Sequence, residues 1–350
     1  MKIFIIGQGI AGTLLAHALR LRGAQVTIAD CDLPGRASAV AAGIINPVTG
    51  KRFVKSWRFD EFFPVARATY QALEQELGVS VWHEQPIVRL LGTAEEANDW
   101  SLRCGQPAYA DYLRELPDAG AWQPFVPPGF RFGLIRQAAR VHFAPLLAAF
   151  REQAKAAGFF QDKNIDYQDV TQLAATYDRV IFCDGYRSAA HPLWSYLPWR
   201  PAKGEALLLR FGEHLPVAEL HEMLKKTTLL VPLGDGLFWA GASYQWYYPD
   251  LEPSKEEKNL LLQNLHSMLA VPFKVVDHVA GVRPTVKDRR PFLGWHPKYP
   301  RLGIFNGLGT KGALLAPFWA AHFAAHILEG QPLDEEVDVK RVPLRELAKE

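Results

Sequence analysis

The segment GVRPTVKDRRPFLG, residues 281–294, sets Arg283 between a valine and a proline at the end of a strand-like apolar run. Burying a guanidinium is costly unless an anion meets it. Its planar, two-pronged donor set matches a carboxylate. The partner is either an acid of this chain, such as Asp277 or Asp288, or a carboxylate that arrives from solution. A second chemical pattern is GQGIAG at residues 7–12. Gly7, Gly9 and Gly12 stand between the apolar run KIFII and a helical segment. In that setting the first glycine permits a tight turn, and the second lets a pyrophosphate approach the backbone. The third lets helix pack on strand, and the helix N-terminus presents free N–H groups. Asp30 lies 18 residues after Gly12, at the end of the next apolar run, where a carboxylate can hold ribose hydroxyls. The pattern implies a dinucleotide with an ADP half and does not choose between NAD and FAD.

Other chemistries find no support. PVTGKRF lacks the Walker spacing, because Ile45 stands where a glycine is needed and Arg52 replaces the hydroxyl residue. No G-x-S-x-G elbow is present. Cys31, Cys104 and Cys183 are far apart and form no CxxC, which predicts free thiols in a reducing cytoplasm. His322 and His326 are spaced i, i+4 without an evident third ligand; they predict packed histidines, not a metal site.

The elements that position these residues can be read from periodicity. KIFII and QVTIA (25–29) are buried strands flanking a helix from about residue 10 to 22, a βαβ unit. Asp60 is placed to cap a helix running to Leu77, closed by Gly78. Short strands and Pro/Gly-rich loops fill 80–135, and helix returns over 143–157. YDRVIFCDG (177–185) is another buried strand with a tight turn. Residues 203–211, 228–244 and 275–286 read as antiparallel strands, with LGDG as a hairpin turn and a helix over 255–268. RLGIFNG (301–307) is followed by GLGTKG and an apolar helix. The expected fold is α/β: a Rossmann-like dinucleotide domain plus an antiparallel-sheet α+β substrate domain. The dinucleotide domain takes residues 1–80, 139–202 and 279–335, the substrate domain 81–138 and 203–278, and 336–350 form a peripheral tail.

Length favours two domains for 350 residues. A net charge of +2 is too small to argue by itself for a polyanionic partner. The apolar N-terminus is broken at once by GQG and followed by His17, Arg20 and Arg22, unlike a secretory leader. The stretch 313–328 is short for a membrane span and contains Pro317 and two histidines. A cytoplasmic location without a membrane span is expected.

GQGIAG with Asp30, SAVAAGIINP (38–47), VPLGDGLFWAGAS (231–243), GVRPTVKDRRPFLG and FNGLGTKGALLAP (305–317), in that order, resemble the D-amino acid oxidase / glycine oxidase family of FAD-dependent amine oxidoreductases. The resemblance spans nearly the whole chain and implies FAD as cofactor. It implies that Gly7, Gly9, Ile10, Ala11 and Gly12 cradle the pyrophosphate and that Asp30, with Cys31 adjacent, holds the adenosine ribose. Ser38, Ala41, Ala42, Gly43, Ile44 and Ile45 would run along the pyrophosphate and isoalloxazine edge. The strand ending near Ile165 would meet adenine, and Cys183, Asp184 and Gly185 would form the turn beside the dinucleotide. Gly307, Leu308, Gly309, Thr310, Lys311 and Gly312 would close over the flavin's pyrimidine ring. There a helix N-terminus, with Lys311 as a candidate full charge, would stabilise negative charge near N1 and O2.

By the same resemblance Arg283 pairs with a substrate carboxylate, and an amine passes hydride from Cα to flavin N5. The resulting imine is hydrolysed, and the electrons go on to oxygen or a quinone. The substrate class is a D-amino acid, a glycine-like molecule or an N-substituted amino acid. The sequence departs from amino-acid-oxidising relatives at TTLLVP, where a tyrosine is missing. Tyr244, Trp246, Tyr247 or Tyr248 could replace it or simply pack under a loop. GKRFVKSW with Arg58 either lines the substrate mouth or is a solvated face. Two alternatives remain: removal of a carboxymethyl group from a modified tRNA base, using the basic clusters near Lys51–Arg58, Lys225–Lys226, Lys287–Arg290 and Lys298–Arg301, and a flavin-binding protein without turnover. Nucleic acid is the less favoured partner.

Overall fold

The computed structural model describes residues 1–343. Strand β1 (Lys2–Ile6) is buried along its apolar length, as a central parallel strand must be. Helix α1 (Ile10–Leu21) and strand β2 (Gln25–Asp30) complete the expected βαβ unit. β1 pairs in parallel with β2 on one side and with Arg179–Phe182 on the other. The full sheet has six strands in the order Phe160–Asp162, β2, β1, Arg179–Phe182, Leu302–Asn306 and Phe292–Trp295. Its last pair is antiparallel. Helix Gly312–Glu329 lies on α1 and is buried along most of its length, which accounts for its nearly unbroken apolar sequence. Among the described residues no helix is long and apolar enough to cross a membrane.

The second sheet has eight strands, in the order Phe273–Arg283, Ala202–Phe211, Leu237–Gly241, Leu229–Gly234, Met223–Lys225, Ile87–Leu91, Arg131–Ile135 and Leu113–Leu116. Its pairs are antiparallel except Met223–Lys225 with Ile87–Leu91. Alternation sorts its side chains between two faces. Leu207, Leu209, Leu224, Leu230 and Ala240 enter a core shared with Leu261 and Leu265 of helix Lys255–His266. Ala206, Leu229 and Trp239 face the other way, toward the dinucleotide-type sheet.

Two expectations change. The helix after Asp60 begins earlier, at Phe59–Leu77, with Arg58 in a left-handed conformation as its N-cap. Asp60 and Glu61 occupy its first turn, where carboxylates favour the helix dipole. The segment from residue 336 is not merely peripheral: Val337 and Val339 are fully buried, and the Leu293 N–H donates to the Val337 carbonyl at 2.9 Å. These residues cover the edge strand Phe292–Trp295, an exposed edge being a site for unwanted pairing. The rest of that expected tail, 344–350, lies outside the described residues.

Candidate active site

A cavity of about 780 Å³ runs between the two sheets, within the range typical of ligand sites, roughly 300–1,000 Å³. One end is built by the opening turn. Gly7 has φ 100°, and a Cβ there would stand 2.7 Å from the Cys183 carbonyl oxygen. A Cβ on Gly12 would stand 1.9 Å from the Gly7 carbonyl oxygen, so α1 can seat on β1 only with glycine at that position. Gly9 caps α1 without a side-chain bond, and no acid occupies the first turn. Ser38 Oγ accepts from the Ile10 N–H at 3.2 Å. The helix end therefore offers backbone donors to an anion.

Asp30 lines the cavity and is held by Arg151 Nη2 at 2.5 Å and Arg36 Nη1 at 3.3 Å. Burial raises its pKa, partly offset by the Gln8 backbone N–H and the two guanidiniums. Asp184 accepts from the Ser188 hydroxyl and from Asn306 Nδ2 at 3.4 Å. Burial pushes its carboxyl up to about 6. Cys31, Ile165, Cys183 and Gly185 line the same end.

Farther along, Ala41, Ala42, Gly43 and Ile44 line one wall, and Leu308, Gly309, Thr310 and Gly312 line the opposite one. The last group opens helix Gly312–Glu329, which likewise has no side-chain cap. Two helix N-termini thus border one elongated cavity, with Asp30 at its far end. This matches a dinucleotide with phosphates at one helix and an electron-rich ring at the other. The residues fit FAD.

Four expected contacts lie elsewhere. Gly12 serves helix–strand packing, Ile45 is fully buried in the core, and Gly307 turns the chain with φ 80°. None of these lines the cavity. Lys311 is also absent from the lining; its Nζ donates to Ser56 Oγ, in a neighbouring loop, at 3.0 Å. The segment 50–57 with Arg58 is structural as well. Arg58 pairs with Glu61 and Asp334, at 2.6 and 2.7 Å, and Trp57 stacks on Trp319. His322 and His326 take hydrogen bonds from the Asp334 N–H and Trp295 Nε1. No metal-binding group occurs among the described residues.

Arg283 reaches the cavity from the end of its strand. Its guanidinium lies flat over Gly204 of the neighbouring strand, where a Cβ would stand 2.0 Å from Nη2. Nη1 donates to the Ser243 carbonyl at 3.2 Å, and the group sits 5.2 Å from the centre of the Tyr244 ring. Neither internal acid meets it: Asp288 binds Arg341 at 3.1 Å, and Asp277 accepts from the His278 N–H. Burial lowers its pKa, against a raising effect from Tyr244. The aromatic run sorts itself, with Tyr244 lining the cavity and Tyr247 91% exposed.

Sequence reasoning missed many lining residues, among them Arg36, Arg151, Gly204, Leu229, Trp239 and Lys225. Trp239 packs between the sheets with Nε1 on the Val40 carbonyl at 3.1 Å. Lys225 lines the cavity rather than the surface. Alternation carried a usable signal for it: with Leu224 in one core, Lys225 must share the face of Met223.

Fold and cavity together define a dinucleotide-dependent oxidoreductase of the flavin type. The profile of the FAD dependent oxidoreductase family, DAO, matches residues 2–326, and the chain belongs to that family. A curated relative is the glycine oxidase of Pseudomonas aeruginosa, 26% identical over 351 residues, covering 90% of this chain and 92% of that one. Among solved structures, glycine oxidase from Geobacillus kaustophilus superposes with a TM-score of 0.77 at 23% identity, over 95% of this chain and 97% of that one. Iminodiacetate oxidase from Chelativorans sp. BNC1 gives 0.76 at 21% identity, over 97% and 98%.

Proposed function

We propose that the protein oxidises the C–N bond of a carboxylate-bearing amine, with the carboxylate bound by Arg283. The observation that carries this reading is a mostly buried guanidinium, lining the cavity, that has no acid partner among the described residues. A buried cation in that state is stabilised when an anion arrives, and two parallel N–H···O contacts fix the anion's orientation. The activities named for the glycine and iminodiacetate oxidases support it. FAD, when bound, would supply the two-electron acceptor for oxidation at the carbon beside nitrogen. The chain's own part is to hold the carboxylate at Arg283, beside Tyr244, and to exclude water with Leu229 and Trp239. Among the described residues the side chains lining the Arg283 end include no carboxylate or histidine; the substrate would bind as the neutral amine, its nitrogen proton having passed to solvent. The imine product is then hydrolysed by water.

The tRNA alternative rests on surface basic clusters, and two of these are otherwise engaged: Lys225 faces inward and Arg58 is ion-paired. The test is anaerobic titration of the FAD-loaded protein with D-amino acids, glycine, N-methyl amino acids and imino acids, followed by flavin absorbance. At least one class bleaches the flavin, and Arg283→Met weakens its binding 100-fold or more. An Arg283→Met variant with unchanged affinity for that substrate refutes the assignment.

A further inference from the structure

The sheet face that carries Arg283 also carries a second cation without a partner among the described residues. Lys225 ends its strand, paired in register with Leu229 on one side and Arg89 on the other. It lines the cavity, and its Nζ makes no hydrogen bond or ion pair among the described residues. Its cationic neighbours are committed elsewhere. Arg89 bonds Glu96 at 3.3 Å and the Lys226 carbonyl, while Lys226 Nζ bonds the Ser267 carbonyl at 3.1 Å. The other deeply buried lysine of this sheet, Lys203, has Glu205 at 3.0 Å.

The acids that line the cavity are Asp30, Asp32, Glu152 and Asp184. The first two are bound to Arg36 and Arg151, Glu152 sits on the same helix as Arg151, and Asp184 belongs to the turn beside Cys183. All four stand at the dinucleotide end. Among the described residues the sheet end has two positive groups and no negative one. Burial, with the nearby Arg89, pushes the Lys225 ammonium down to about 8, the mark of a charge held where water solvates it poorly.

Placement makes the two cations a pair. Gly204, under the Arg283 guanidinium, and Lys225 project to the same face. They are separated by three strand spacings and two residues along the strand, roughly 16 Å between backbones. Both residues line the cavity, and Ala206, Gly241 and Leu229 lie in register between them.

We propose that Lys225 is a second anion subsite, and that the substrate is an amine with two carboxylates, one on Arg283 and the other on Lys225. This rests on the reading of Arg283 as a carboxylate anchor. It narrows the substrate class to acidic amino acids or secondary amines bearing a carboxylate on each arm, and it makes Lys225 a specificity-determining residue.

Calorimetry at pH 7 on the FAD-loaded enzyme tests it with glutarate and valerate, linear five-carbon acids with two and one carboxylates and no amine to oxidise. Glutarate binds at least tenfold tighter than valerate. Lys225→Met removes that preference while leaving valerate unchanged, Lys225→Arg keeps it, and Arg283→Met weakens both ligands. Equal affinity of the two acids for the unsubstituted enzyme overturns the inference and leaves the Arg283 reading standing. A preference that survives in Lys225→Met also overturns it. Absence of binding by either acid, or binding indifferent to Arg283→Met, overturns the anchor reading with it. Because the comparison on the unsubstituted enzyme can refute the proposal alone, it stays testable even where a variant fails to retain FAD.

Discussion

Gly204→Ala moves Arg283 without removing it. Gly204 lies in a regular strand, without the left-handed φ that only glycine tolerates, so alanine fits the backbone. Its methyl group, however, would stand 2.0 Å from Nη2, 2.2 Å from Cζ and 2.3 Å from Nη1 of Arg283. Contact between carbon and these atoms needs about 3.5 Å, so the guanidinium must shift by well over an ångström. The end of an arginine side chain can do this cheaply, so the fold survives. Two aligned N–H···O bonds to a carboxylate do not survive such a displacement. A hydrogen bond to a charged group contributes about 1.5–3 kcal/mol, and losing one such contribution weakens binding roughly 10- to 150-fold. The assay is titration of the FAD-loaded variant with an amine-free carboxylate, read by calorimetry, alongside thermal unfolding. Expected are a melting temperature within a few degrees of the parent and affinity reduced by at least tenfold. A well-folded Gly204→Ala protein that binds carboxylate as tightly as the parent would falsify the claim that Arg283, in this pose, is the anchor.

Gly12→Ala brings a methyl group to within 1.9 Å of the Gly7 carbonyl oxygen, and here backbone must yield. Overpacking of this kind costs about 1–3 kcal/mol, and the purified variant should have lower flavin absorbance relative to protein and a lower melting temperature. Lys225 predicts a signed pH effect. Its pKa falls from 10.5 unfolded to about 8 folded, so the unfolded chain binds more protons between those values and stability rises with pH across them. Below about pH 8 the buried charge destabilises the substrate-free protein, on the order of 3 kcal/mol. Lys225→Met should therefore melt several degrees higher than the parent at pH 7, with the gap closing as pH approaches 10. A gap that widens over that range would contradict the inward placement of the ammonium.

The βαβ unit was readable because its signals are local: KIFII, three spaced glycines and Asp30 all lie within the first 30 residues. Arg283 was readable as a charge in an apolar run, but its freedom from internal acids was not. That freedom depends on where Arg341 and the His278 N–H sit in space. Lys225 was hidden because MLKKTT looks like a polar turn. What turns it inward is the parallel pairing of Met223–Lys225 with Ile87–Leu91, a contact between segments far apart in sequence. Tyr244 and Lys311 show the same limit in opposite directions. The composition of a turn says little about which way a side chain leaves it, and neighbouring packing put Tyr244 beside Arg283 while sending Lys311 to Ser56.

The burial of α1 beneath Gly312–Glu329 has a consequence for biosynthesis. Helix Gly312–Glu329 is translated about 300 residues after α1, on which it packs. At about 5–20 residues per second, the interval is roughly 15–60 s. Throughout that time Leu14, Leu15 and Leu19, all buried in the finished fold, lack their eventual cover. The core around α1 is complete only once that helix has been made. A chain truncated before residue 312 leaves that face of α1 without its cover.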